Sequence, residues 1–172
     1  MNREDMLREW RQTLLGEAPQ AAEALRTGGQ PLRAFALVTD DDLRTLFAAG
    51  YTAEGERDLD EQYEGAKLYP PEWMEAKLRE SSKLQSAYCD SWYSVEGSDV
   101  GPDDDHLRPW KQDLAAAIGD ILVELRASGA FPDDCMLLAW PTGASTLLEE
   151  WLNEASRRAN PVGRYDAWQR GE

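Results

Sequence analysis

The chain is poor in the residues from which most catalytic and metal sites are built. It has one histidine, His106, and two cysteines, Cys89 and Cys135, in 172 residues. A single imidazole leaves no pair for a histidine-based metal site. A Ser-His-Asp arrangement has that one candidate, in a charged stretch at a helix start with no G-x-S-x-G pattern nearby. His106 therefore reads as a capping or exposed histidine. The cysteines form neither a C-x-x-C pair nor a disulfide framework, and read as buried free thiols of a cytosolic chain. No P-loop and no G-x-G-x-x-G is present, so a nucleotide would lack its usual backbone cradle. No apolar run approaches the ~20 residues that cross a bilayer. The opening MNREDMLREW lacks the apolar core of a signal peptide, and the expected compartment is the cytoplasm, with no membrane partner. Internal repeats and low-complexity segments are absent as well.

What the chain has in excess is acid. Asp and Glu number 33 against 18 Lys and Arg, a net charge of −15. The excess is uneven: residues 53–105 hold 15 acidic and 5 basic side chains, net −10, against −2 before them and −3 after. Such a field repels nucleic acid and anionic lipid and speeds encounter with a basic protein. Hydrophobic residues at 42% and charged residues at 30% are ordinary for a folded domain, and the length suits one domain, 1–172, with a substantial core.

The patterning centres on Arg33–Thr52. Apolar runs Ala34–Val38 and Leu43–Ala49 flank Thr39-Asp40-Asp41-Asp42, which predicts a β-hairpin with an acidic joint, ended by Gly50. Both strand faces are apolar, so the hairpin is expected to be covered on both sides or central in its sheet. Before it, Met6, Leu7, Trp10, Leu14 and Leu15 have helical spacing, and Pro19 is expected to open a second short helix, Ala21–Arg26. After it, Thr52–Glu64 reads as a solvated helix and Lys67–Tyr69 as a short third strand. Pro71–Met74 reads as a turn or helix start, and Ser81 or Ser82 as the cap of a helix carrying Leu84, Tyr88, Trp92 and Val95. Gly97–Asp105 is the clearest loop. A broad stripe from Leu107 to Leu125 predicts the strongest helix, closed by Gly129. Met136–Trp140 reads as a buried strand, and Thr146-x-x-Glu149 as the capping box of a last helix, stopped at Asn160-Pro161. The order predicts an α+β domain with a small, mainly antiparallel sheet built on the hairpin (about 32–50) and packed by several helices.

The acidic clusters Asp40–Asp42 and Asp103–Asp105 invite a metal, but neighbouring aspartates diverge and neither run has the alternate-position ligands and glycine turn of a calcium loop. They read as turn and capping chemistry; no metal and no cofactor is expected. Of seven tryptophans, Trp10, Trp92, Trp110 and Trp151 fall on helical stripes and read as core. Trp73 and Trp168 fall outside such stripes, and an exposed tryptophan rimmed by acid suits a protein partner. The candidate contact residues are therefore Asp40, Asp41, Asp42, Glu72, Trp73, Asp103, Asp104 and Asp105.

Three pieces read together: the strand–TDDD–strand unit followed by Thr52-x-Glu54, the Pro71-Glu72-Trp73 stretch, and the closing Ser156-Arg-Arg-Ala-Asn160-Pro161. In this order they resemble a bacterial family known as domain of unknown function 4303, over roughly residues 5–165. Where that family often carries further acid after its last strand, this chain reads Trp140-Pro141-Thr142-Gly143. The resemblance implies the context of an immunity protein from a polymorphic or secreted toxin system. With the charge, it leads to the expectation of a non-enzymatic inhibitor that occludes the active site of a cognate toxin, basic and acting on nucleic acid, without binding nucleic acid itself. The alternatives are a small carboxylate- or metal-dependent hydrolase, using for example Glu72 with Asp41, and a housekeeping interaction module.

Overall fold

A computed structural model describes residues 2–62, 69–96, 109–143 and 146–171. Strands β1 (Leu32–Thr39) and β2 (Leu46–Thr52) form the expected antiparallel hairpin, with Phe35 opposite Gly50 and Thr39 opposite Leu46. A short strand β3 (Met74–Lys77) pairs antiparallel with β2, and β4 (Met136–Pro141) runs parallel to β1. The sheet order is β3-β2-β1-β4, mixed and open. Helices α1 (Arg3–Ala24), α2 (Ala53–Gln62), α3 (Arg79–Glu96), α4 (Pro109–Ala127), α5 (Thr146–Ala159) and α6 (Arg164–Gln169) complete an α+β fold.

Side-chain alternation assigns the two faces of the sheet. Phe35, Leu37, Leu46, Ala48, Leu137 and Ala139 point into the larger core, where they meet buried residues of α1, α3, α4 and α5. Ala34, Ala36, Val38, Ala49, Tyr51, Met136 and Leu138 point the other way, onto Trp73 and onto Tyr165 of α6. The hairpin is thus covered on both sides, as its doubly apolar strands require.

Several boundaries differ from the sequence expectation. Helix α1 is continuous through Pro19, because Ala18, Ala21 and Ala22 are buried against the core and hold the last turns in place. Gly50 does not end β2 but lies inside it, where a Cβ would come within 2.9 Å of the Ala34 carbonyl oxygen. Leu43 begins no strand; it is buried in the turn with φ 55. The cap of α3 is neither Ser81 nor Ser82. Glu17 of α1 accepts hydrogen bonds from the Glu80 N–H (3.1 Å), the Ser81 N–H (2.9 Å) and the Ser81 hydroxyl (2.6 Å). This carboxylate neutralises the positive end of α3 from a separate element. The candidate strand Lys67–Tyr69 lies largely outside the described residues, and α6 carried no periodic signal long enough to predict it.

Strand β4 ends the sheet order, and side chains from the end of α5 and the residue after it occupy its outer backbone. Asn160 Oδ1 accepts the Leu137 N–H (3.0 Å), and its Nδ2 donates to the Leu137 carbonyl (2.6 Å). Ser156 Oγ accepts the Ala139 N–H (2.9 Å). The i, i+4 spacing of one helix face matches the two-residue repeat of the strand, which gives the Ser156–Asn160 motif a structural role. Arg126 joins the same region: it donates to the Pro132, Cys135 and Ala159 carbonyls and to Asn160 Oδ1.

Candidate functional site

The parallel neighbours β1 and β4 bring two loops together at their carboxyl ends, the position at which sheets of this kind tend to place ligands. The Thr142 N–H donates to the Thr39 carbonyl at 2.8 Å, extending the pairing beyond the strands. From β1 comes the triple-aspartate turn, and its three carboxylates do different things. Asp40 shapes the turn: Oδ1 accepts the Arg44 N–H (2.6 Å) and Oδ2 accepts the Thr45 hydroxyl (3.0 Å). Asp42 faces Lys111 of α4, 3.3 Å from its Nζ. Asp41 reaches across to the loop after β4, where its carboxylate faces Gly143. A Cβ on Gly143 would lie 3.3 Å from Asp41 Oδ1. Desolvation there, followed by the charges of Asp40 and Asp42, raises the Asp41 pKa above its ordinary value, outweighing the opposing effects of Lys111 and the Gly143 backbone.

Behind the turn, Gln85 Nε2 donates to the Leu43 carbonyl (2.7 Å) and the Thr45 carbonyl (3.1 Å), and Cys89 Sγ lies 3.1 Å from the Leu43 carbonyl. The acidic turn is thus clamped to α3 from within.

Beside Gly143 opens a cleft of about 180 Å³ lined by Tyr69, Trp140, Thr142, Gly143, Glu149 and Asn153. Tyr69 and Trp140 meet edge to face, with ring centroids 6.1 Å apart and planes at 85°. Trp140 also meets Trp168 of α6 at 6.4 Å. Glu149, in the first turn of α5, carries the only charge among the described lining residues. Asn153 Oδ1 accepts the Tyr165 hydroxyl at 2.6 Å. Burial pushes the Tyr165 pKa up to about 12, so this phenol remains a neutral donor.

The structure redistributes the sequence candidates. Asp41 lies beside the cleft, while Asp40 and Asp42 are occupied with the turn and with Lys111. Trp73, expected as an exposed contact aromatic, is 4% exposed. It packs edge-on against Tyr51 at 4.6 Å and Trp168 at 6.3 Å, because β3 draws the preceding turn Pro70–Glu72 over the sheet. The Glu72 side chain, Asp103, Asp104, Asp105 and His106 lie outside the described residues. Trp168 is half-buried.

Tyr69, Trp140, Glu149 and Asn153 are not among the contact residues expected from sequence. The one available signal was Trp140-Pro141 at the end of a buried strand. Among the described residues, no cluster of three or more His, Cys, Asp or Glu could hold a metal, and no helix is long and apolar enough to cross a membrane.

A groove of opposite sign lies at the start of β2 and α3, with Arg44, Lys77, Arg79 and Lys83 around Leu46 and Leu78. Arg44 pairs with Asp90 and Lys83 with Glu80, which offsets half of its charge. Comparison with known protein families, with characterised proteins and with solved structures finds no match.

Proposed function

We propose that the protein is an immunity-type inhibitor, which binds a cognate bacterial toxin or effector domain in the cytoplasm and neutralises it by occluding its active site. The observation that carries this reading is the aromatic-walled cleft rimmed by Glu149 and flanked by Asp41, in a chain of net charge −15. Part-exposed tryptophan and tyrosine supply contact area at low entropic cost, and surrounding carboxylates select a basic partner and hasten its approach. A toxin that acts on nucleic acid is basic for its own reasons, so an acidic inhibitor competes with the substrate's charge. The resemblance to the 4303 family points to the same context.

The test is calorimetry and stopped-flow association with the product of the adjacent gene. A complex is expected, with an association rate that falls steeply as salt rises. Absence of a complex overturns the reading; a salt-independent rate removes the electrostatic part.

A further inference from the structure

We propose that the cleft between Tyr69, Trp140 and Glu149 receives a cationic side chain of the partner, an arginine guanidinium. This rests on the inhibitor reading above and deepens it by naming the group that enters and the place that takes it.

The first argument is the pairing of rings with cations elsewhere in the molecule. The Arg3 guanidinium carbon lies 3.7 Å from the Trp92 ring centroid, Lys111 Nζ lies 5.8 Å from that of Trp110, and the Arg157 guanidinium carbon lies 5.6 Å from that of Tyr165. The fold thus supplies cations from its own sequence to the half-buried Trp92 and to the buried Trp110 and Tyr165. Among the described residues, none stands over Tyr69 or Trp140, although Tyr69 is 41% exposed and Trp140 half-buried.

Charge gives the second argument. Glu149 is the only charged residue among the described lining residues, and the Asp41 carboxylate lies behind Gly143. An anion would meet both. The positive end of α5, which could otherwise attract one, already has Glu149 in its first turn.

Size is the third. Pockets for drug-sized ligands run to roughly 300–1,000 Å³, whereas this cleft measures about 180 Å³ and fits the head of one side chain. Arginine suits it better than lysine: a planar, weakly hydrated guanidinium can lie against a ring and direct its N–H fork to a carboxylate, whereas an ammonium surrenders more hydration.

The probe is Nα-acetyl-arginine methylamide, with its neutral citrulline counterpart, titrated into the ¹⁵N-labelled protein. The indole N–H signal of Trp140, identified by its loss in Trp140→Leu, is expected to move with the arginine probe and not with citrulline. The Trp92 signal, already under Arg3, stays put. Glu149→Gln, an exposed substitution that leaves packing intact, should weaken the arginine response several-fold. A Trp140 signal that never moves, or that moves equally with citrulline, overturns the proposal.

In complex with the adjacent gene product, Trp140→Leu and Glu149→Gln are each expected to weaken binding roughly tenfold, the scale of one desolvated cation–π contact or charged pair. Wild-type affinity in both variants overturns the cleft proposal while the inhibitor reading stands. A Trp140 response to the arginine probe without any complex supports the cleft and overturns the inhibitor reading.

Discussion

The two faces of the sheet are built to different standards. One is roofed by four long helices, and its core is closed: Trp10, Leu14, Trp110, Leu114, Ile118, Ile121 and Leu122 are at most 1% exposed. At Gly119 the α4–α5 crossing is so close that a Cβ would come within 3.0 Å of the Ala155 Cβ. The other face is covered by the turn Pro70–Glu72 and the six-residue helix α6, and it is filled with Tyr51, Trp73, Trp140, Tyr165 and Trp168. A thin cover leaves part of that aromatic layer open: Tyr51, Trp73 and Tyr165 are buried, but Trp140 and Trp168 are only half-buried. The difference teaches where to look for each property: folding energy in the first face, the proposed recognition in the second.

Breaking that division should begin with the largest effect. Leu122→Ala, in the closed core, is expected to cost about 2–5 kcal/mol in urea unfolding. Tyr69→Ala on the open face should cost less than about 1 kcal/mol. Equal costs would erase the distinction. Next is Asn160→Ala, which strips the Leu137 N–H and carbonyl and one contact of Arg126 of their partner. A loss of about 1–3 kcal/mol is expected by thermal unfolding, with faster hydrogen exchange at the Leu137 amide.

A smaller effect belongs to Glu17. Burial raises its pKa, but the bonds from Ser81 and Glu80 and the charge of Lys83 more than offset this, leaving it below the ordinary 4.5. A depressed carboxyl contributes stability above its unfolded value, and that contribution fades as pH falls through the folded one. The gap between wild type and Glu17→Gln, about 0.5–2 kcal/mol for a helix cap, should be flat above pH ~4.5 and shrink below it. A gap that widened in acid would sink this account. The smallest expected signal is none at all. Burial pushes Cys89 and Cys135 up to about 12, so neither thiol should react with a maleimide at pH 8 until the protein unfolds.

The closed face was largely legible from sequence. The stripe on α4, the alternation of β1 and the run in β4 each record burial in local spacing. Elements that depend on distant partners were not. Met74–Lys77 reads as Met-Glu-Ala-Lys, an alternation only four residues long, and this edge strand of mostly exposed side chains takes its order from β2. Trp73 was assigned to the surface because no stripe contained it, yet its cover comes from Tyr51 and Trp168, far along the chain. The cleft combines the end of one strand, the first turns of a helix and one tyrosine from a turn. Each of those residues had a sufficient local explanation, Glu149 as a capping partner and Trp140 as a strand end, and nothing in spacing alone joins them. The acidic turn was visible, but not that Asp41 alone would reach the Gly143 loop.

The side chains laid along β4 also govern how these molecules meet one another. A bare strand edge is a template on which another chain can continue the sheet, a hazard that grows with concentration. Here Ser156 and Asn160 present amide and hydroxyl groups where a neighbouring backbone would dock, so a fifth strand finds its bonds already taken. The opposite end, β3, is only four residues long and carries Glu75 and Lys77. With neither end inviting polymerisation, a partner of the kind proposed would have to engage loops and side chains rather than extend the sheet.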